Sequence, residues 1–138
     1  MRFVLDASVA LAWVVDCNPD PYAAGVRQRA NAGDRATVPA FWQLEISNVL
    51  AVVRRRGLLN TKEIDKGLKY YEGFLVRHTD IVAQIPSMRE LLRKALDLGL
   101  TSYDAMYIDL ALNENLPLAT LDKGLRAAAV KAGVALLK

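Results

Sequence analysis

The sequence contains one cysteine, Cys17, and one histidine, His78, in 138 residues. A single cysteine excludes an internal disulfide. At an apolar helix edge Cys17 reads as core packing, and such sparing use suits a reducing cytoplasm. Two lone ligand-type residues without spacing argue against zinc, and one histidine leaves no basis for a Ser–His–Asp triad. No GxxxxGK[ST] is present, so P-loop nucleotide hydrolysis is out. No apolar run approaches the roughly 18–20 residues needed to span a bilayer. The opening MRFVLDASVALAWVV is interrupted by Asp6 and is followed by no small-residue cleavage site. The expectation is a cytoplasmic chain with no membrane partner. Repeats, low-complexity tracts and Ser/Gly-rich linkers are also missing, which predicts one domain over residues 1–138.

About half of the residues are apolar, enough for a single core to form without staples. Short apolar runs alternate with longer helical stretches. Strands are predicted at Arg2–Leu5, Ala36–Val38, Asp80–Ala83, Pro117–Ala119 and Val134–Leu136. Helices are predicted at about Ser8–Val15, Pro21–Ala32, Phe41–Arg56, from a capping box at Asn60 and Glu63 to Val76, and at Pro86–Leu98, Ser102–Asn113 and Asp122–Ala132. This alternation predicts an α/β fold in which a central parallel sheet of about five strands is flanked by helices in three layers. Ligands in such folds bind beyond the carboxyl ends of the strands. Asp6, directly after RFVL, and Asp122, just after PLAT, fall there.

Two further acids lie on apolar helix faces. Phe41, Trp42, Glu45, Val49 and Val52 share one face by helical spacing, which sets the Glu45 carboxylate inside an apolar stripe. A buried carboxylate needs a cation or an ion-pair partner, and an arginine from elsewhere would serve as well as a metal. Asp104, in TSYDAMYIDLAL, shares a face with Ile108 and Ala111. Helix-start electrostatics would explain an acid in that first turn but not the apolar face. Asp109 lies five residues further on, about 140° around the helix, and is expected to be solvated or peripheral. Singly, Asp6 and Asp122 are explained as N-caps. Jointly, four such carboxylates would repel one another without a cation, and hard oxygen ligands select Mg²⁺, or Mn²⁺ in its place, over zinc. A carboxylate-held metal on a chain of net charge +3 points to phosphate-ester chemistry.

At these residues the sequence resembles the PIN-domain ribonucleases and, within them, the VapC toxins of bacterial toxin–antitoxin pairs. The matching segments are VLDASVALAWVV, PAFWQLEISNVL, TSYDAMYIDLAL and LPLATLDKGLRAAA, in order over almost the whole chain. The resemblance implies a PIN-like fold, a homodimer, RNA cleavage leaving a 5′-phosphate and a 3′-hydroxyl, and inhibition by a small cognate antitoxin in a hetero-oligomer. It makes Asp6 and Asp104 primary metal ligands, with Glu45, acting through a water, and Asp122 completing the set. Ser8 and Thr120 match small hydroxyl residues near that site, where a turn or cap bond is the plain alternative. Asn48, one turn after Glu45, would orient it or satisfy itself in the core. Arg56, with Arg54 and Arg55, and Lys123 with Arg126 offer a phosphate-tracking rim, although cations ending a helix also answer its dipole.

Rival readings are a nuclease of the same fold acting on DNA or structured substrates and a non-catalytic binding module. A phospho-accepting receiver domain would show paired acids after the first strand, and RFVLDASV lacks the pair.

Overall fold

The inner strands are largely apolar runs buried from both sides, while the edge strand TDIV is partly exposed. In the computed structural model, which describes residues 1–18 and 20–138, β1 is Arg2–Leu5, β2 is Arg35–Pro39, β3 is Thr79–Val82 and β4 is Leu118–Ala119. They form one parallel sheet in the order β3-β2-β1-β4. Central β1 sets Phe3 opposite Ala36 on one side and Leu5 opposite Ala119 on the other. Phe3, Val4 and Leu5 are wholly buried, as a strand covered on both faces requires.

The expected fifth strand at Val134–Leu136 is reduced to a single bridge between Leu118 and Leu136. Leu118 donates its amide to Ala135 O and accepts from Leu137 N. With β4 only two residues long, a longer ladder has nothing to pair with.

The helices are α1 (Ala7–Ala12), α2 (Pro21–Asn31), α3 (Trp42–Arg55), α4 (Thr61–His78), α5 (Met88–Leu98), α6 (Ser102–Glu114) and α7 (Lys123–Ala132). Their ends carry local chemistry. Asn60 and Glu63 form the expected reciprocal capping box at the start of α4, with bonds of 2.8 and 3.0 Å. Ser87 caps α5 and Thr101 caps α6. Helices α1 to α4 pack as one group and α5 to α7 as another, with α6 also lying on β1, β2 and β4.

The first group is cemented by aromatic rings: Trp13 meets Phe74 edge-on at 5.0 Å, and Trp42 stacks on Phe74 at 6.3 Å. Two buried polar atoms in this cluster are satisfied by backbone, Trp13 Nε1 donating to Ala23 O and Tyr71 Oη to Ala10 O, both at 2.7 Å, whereas the buried Trp42 Nε1 has no partner among the described residues. Helix α1 ends three residues earlier than expected, so Cys17 falls in the following bend and is exposed, not part of the core. No described helix is long and apolar enough to cross a membrane.

Candidate active site

Asp6 leaves β1 at the N-cap position of α1, yet its side chain caps nothing. Its Oδ2 instead accepts two hydroxyl donors, Ser8 Oγ at 2.6 Å and Thr120 Oγ1 at 2.7 Å. Each hydroxyl is itself anchored, because Ser8 Oγ accepts from Leu121 N and Thr120 Oγ1 from Asp122 N, both at 3.1 Å. The end of β1 and the end of β4 are thereby tied through one buried carboxylate, and the cap explanation of Asp6 fails. Burial pushes the Asp6 carboxyl above its ordinary value. The two hydroxyls oppose that shift and the nearby Asp122 charge adds to it.

Asp122 is a working N-cap: Oδ1 accepts from Leu125 N at 2.8 Å at the start of α7. Its charge nonetheless reaches both Asp6 and Asp104. Asp104 stands half-buried in the first turn of α6, its carboxyl raised by burial and then by Asp6 and Asp122. Glu45 stands in the first turn of α3. The face of α3 that enters the core is Trp42, Ile46, Leu50 and Val53, so Glu45 lies at the margin of the stripe and not inside it. Burial still raises the Glu45 carboxyl, with Asp6 and Asp104 adding to the shift. One hydroxyl, Tyr107 Oη at 2.6 Å, opposes it.

Charge couples Asp6 to Glu45, Asp104 and Asp122, and Asp104 to Glu45 and Asp122. The ion pairs among the described residues involve Asp34, Asp65, Asp80, Asp109 and Glu114, and none of these four. The cluster is negative, partly desolvated and uncompensated. Among the described residues no three acids close into a set that would ligate an ion directly.

The other expected residues divide. Ser8 and Thr120 make the carboxylate contacts described. Asn48 is exposed, and Glu45 takes its hydrogen bond from Tyr107 instead. Arg126 Nη1 donates to Thr120 O at 2.8 Å and its guanidinium lies over the Tyr22 ring at 5.3 Å, which ties it to the site's own backbone. Lys123 is exposed at the first position of α7. Arg56 ends α3 eleven residues from Glu45, about 16 Å along the axis at 1.5 Å per residue.

Asp109 is indeed apart from the cluster, but it is buried rather than solvated, paired with Lys94 Nζ and accepting from Asn113 Nδ2 at 3.0 Å. A cavity of about 370 Å³ opens beside it, lined by Pro39, Val82 and Met106, and does not touch the four acids. Sequence reasoning missed Tyr107. Its place one helical turn after Asp104 was the available signal, masked because a tyrosine in an apolar helix reads as core.

A family model described as PIN domain matches residues 3–131. No curated protein matches the chain. Among solved structures the chain is similar to PAE2754 from Pyrobaculum aerophilum, at 22% identity over 93% of this chain and 84% of that one, with a TM-score of 0.69. It is also similar to FitAcB from Neisseria gonorrhoeae, at 19% identity over 100% and 97% of the two chains, TM-score 0.67. A third is VapBC2 from Rickettsia felis bound to a DNA fragment from their promoter, at 16% identity over 99% and 98%, TM-score 0.64. At these identities the shared property is the fold.

Proposed function

The chain belongs to the PIN domain family, and from that premise we propose that it is a Mg²⁺-dependent endoribonuclease acting as the toxin of a toxin–antitoxin pair. The observation that carries this reading is that Asp6 and Asp104 repel each other and each is repelled by Glu45 and by Asp122, while none of the four is ion-paired among the described residues. A partly desolvated negative cluster of this kind is relieved by protonation or by a hard divalent cation.

Asp6 and Asp104 would hold the ion, with Asp122 and Glu45 completing the set directly or through water. A bound Mg²⁺ would supply Lewis-acid charge to lower the pKa of the attacking water and stabilise the leaving oxygen of a phosphodiester. The hydroxyls of Ser8 and Thr120 fix one oxygen of Asp6, and with it the direction of the other. Glu45, whose carboxyl is already raised by burial, is suited to take the proton from the attacking water. Exposed Lys123 offers a phosphate contact beside Asp122. The resemblance to VapC sequences and the fold shared with VapBC2 support the toxin role and a cognate antitoxin as partner; a homodimer follows from the sequence resemblance alone.

The test compares cleavage of single-stranded RNA, tRNA and both forms of DNA by the unaltered chain, Asp6→Asn and Asp104→Asn, with Mg²⁺ or with chelator. The expected result is RNA cleavage that chelator and either substitution abolishes. Chelator-resistant cleavage that survives both substitutions refutes the metal site, and cleavage confined to DNA refutes the substrate. Growth arrest on expression, rescued by a small protein encoded beside this gene, tests the toxin role.

A further inference from the structure

We propose that Tyr107 is a positioning residue of the acid cluster, holding the Glu45 carboxylate toward Asp6 and Asp104, from where it would complete the ligand set of an ion through water. The proposal rests on the metal-site reading above. Glu45 is the one member of the cluster with three free side-chain torsions, and it reaches in from a helix 62 positions away from Tyr107 in sequence. It is half-buried and repelled by Asp6 and Asp104, so with nothing to hold it the carboxylate would turn toward solvent.

Tyr107 is the opposing hold. Its ring is wholly buried and set edge-on to Phe41 at 5.7 Å, one turn before Glu45, so the position of its hydroxyl is fixed by packing. The same helix that presents Asp104 thus presents, one turn later, the donor that fixes Glu45. Burial and the neighbouring Asp6 and Glu45 push the phenol far up, which keeps it a donor.

The pattern repeats that of Asp6. Glu45 Oε1 accepts from one hydroxyl and Asp6 Oδ2 from two, and among the described residues the second oxygen of each carboxylate takes no side-chain donor. All three donors are neutral. A lysine or arginine would orient the acids equally well but would cancel the charge that draws the cation; hydroxyls orient without neutralising. A tyrosine buried for packing alone needs only some acceptor for its hydroxyl. Here the acceptor is an acid the surrounding charges would otherwise expel.

The experiment is calorimetric titration of the full chain with Mn²⁺ for the unaltered protein, Tyr107→Phe, Glu45→Ala and the double variant. Tyr107→Phe keeps the ring and is expected to weaken the Mn²⁺ Kd about 10-fold, as loss of a group supporting a metal ligand does. The same change in the Glu45→Ala background is expected to cost nothing more, because no carboxylate is left to position. A Kd within about twofold of the unaltered value, or an equal further loss in the double variant, overturns the proposal while leaving the metal site standing. Failure of the unaltered chain to bind Mn²⁺ overturns both. Should Tyr107→Phe not fold, melting of Glu45→Gln against Glu45→Ala in chelator reads the same contact. Alanine strips the acceptor from a buried hydroxyl and should melt several degrees lower than glutamine, and equal melting temperatures overturn the contact.

Discussion

Replacing Thr120 by valine isolates the hydroxyl that ties the two ends of the sheet together at Asp6. The side chain is wholly buried, and valine reproduces its shape while removing two bonds: the donation to Asp6 Oδ2 at 2.7 Å and the acceptance from Asp122 N at 3.1 Å. A hydrogen bond to a charged group contributes about 1.5–3 kcal/mol and a neutral one about 0.5–1.5 kcal/mol. The loss at neutral pH should therefore be about 2–4 kcal/mol, or about 6–15 °C in Tm for a chain of this length.

The pH dependence adds a second check. Asp6 has a folded-state carboxyl raised above its ordinary value, so its ionisation costs stability as pH rises through that folded value. The Thr120 hydroxyl moderates this cost, and without it the carboxyl rises further. The penalty of Thr120→Val should be largest at neutral pH and shrink as acid protonates Asp6. Thr120→Ser keeps the hydroxyl and removes only a buried methyl, which costs about 1 kcal/mol with no pH dependence. Urea denaturation of the three proteins at neutral and acidic pH measures all of this. A valine variant as stable as the unaltered chain, or serine and valine variants that respond alike to pH, would refute the reasoning.

Asp6→Asn should raise Tm by a few degrees in chelator at neutral pH, since it removes a charge held among other acids while leaving an oxygen for Ser8 and Thr120. The same variant should gain nothing from Mg²⁺, which should stabilise the unaltered protein; a lower Tm than the unaltered chain in chelator would count against an uncompensated cluster. Two glycines should respond in opposite directions. Gly25→Ala in α2 meets open space and should stabilise by about 0.5–1 kcal/mol. Gly67→Ala in α4 would put a Cβ 2.8 Å from Val14 Cγ1 and should destabilise by about 1–3 kcal/mol despite the better helix former. Denaturant midpoints decide both signs.

Much of this architecture was legible because it is written in local signals. RFVL is apolar at every position after the first, and Asn60 with Glu63 spells a capping box. The acids at strand ends could be placed from topology alone. What escaped depends on contacts between distant segments. That Asp6 binds two hydroxyls instead of capping α1 is decided by Thr120, 114 positions away. The expected face of α3 shared Trp42 with the observed one, but the rest of it fell one residue early, Glu45, Val49 and Val52 standing where Ile46, Leu50 and Val53 enter the core. Asp109 was misplaced for a related reason. Ala105 through Ala111 are all buried, so α6 has no wet side over that stretch against which a period could be read. The Lys94 that makes a charge tolerable there comes from another helix.

The central position of β1 has a consequence for how the protein comes into being. Strand β1 pairs with β4, made more than 110 residues later, and Asp6 is completed by Thr120 and Asp122 from that same late segment. While ribosomes add roughly 5–20 residues per second, the first acid waits several seconds without its partners. The loop that must then close is long, which delays β1–β4 pairing further. An unfinished or truncated copy ending before Leu118 lacks both the strand and the last acid. The sheet and the acids it gathers can be complete only once the segment from Leu118 to Asp122 has been made, so the order of the residues sets when the site can first exist.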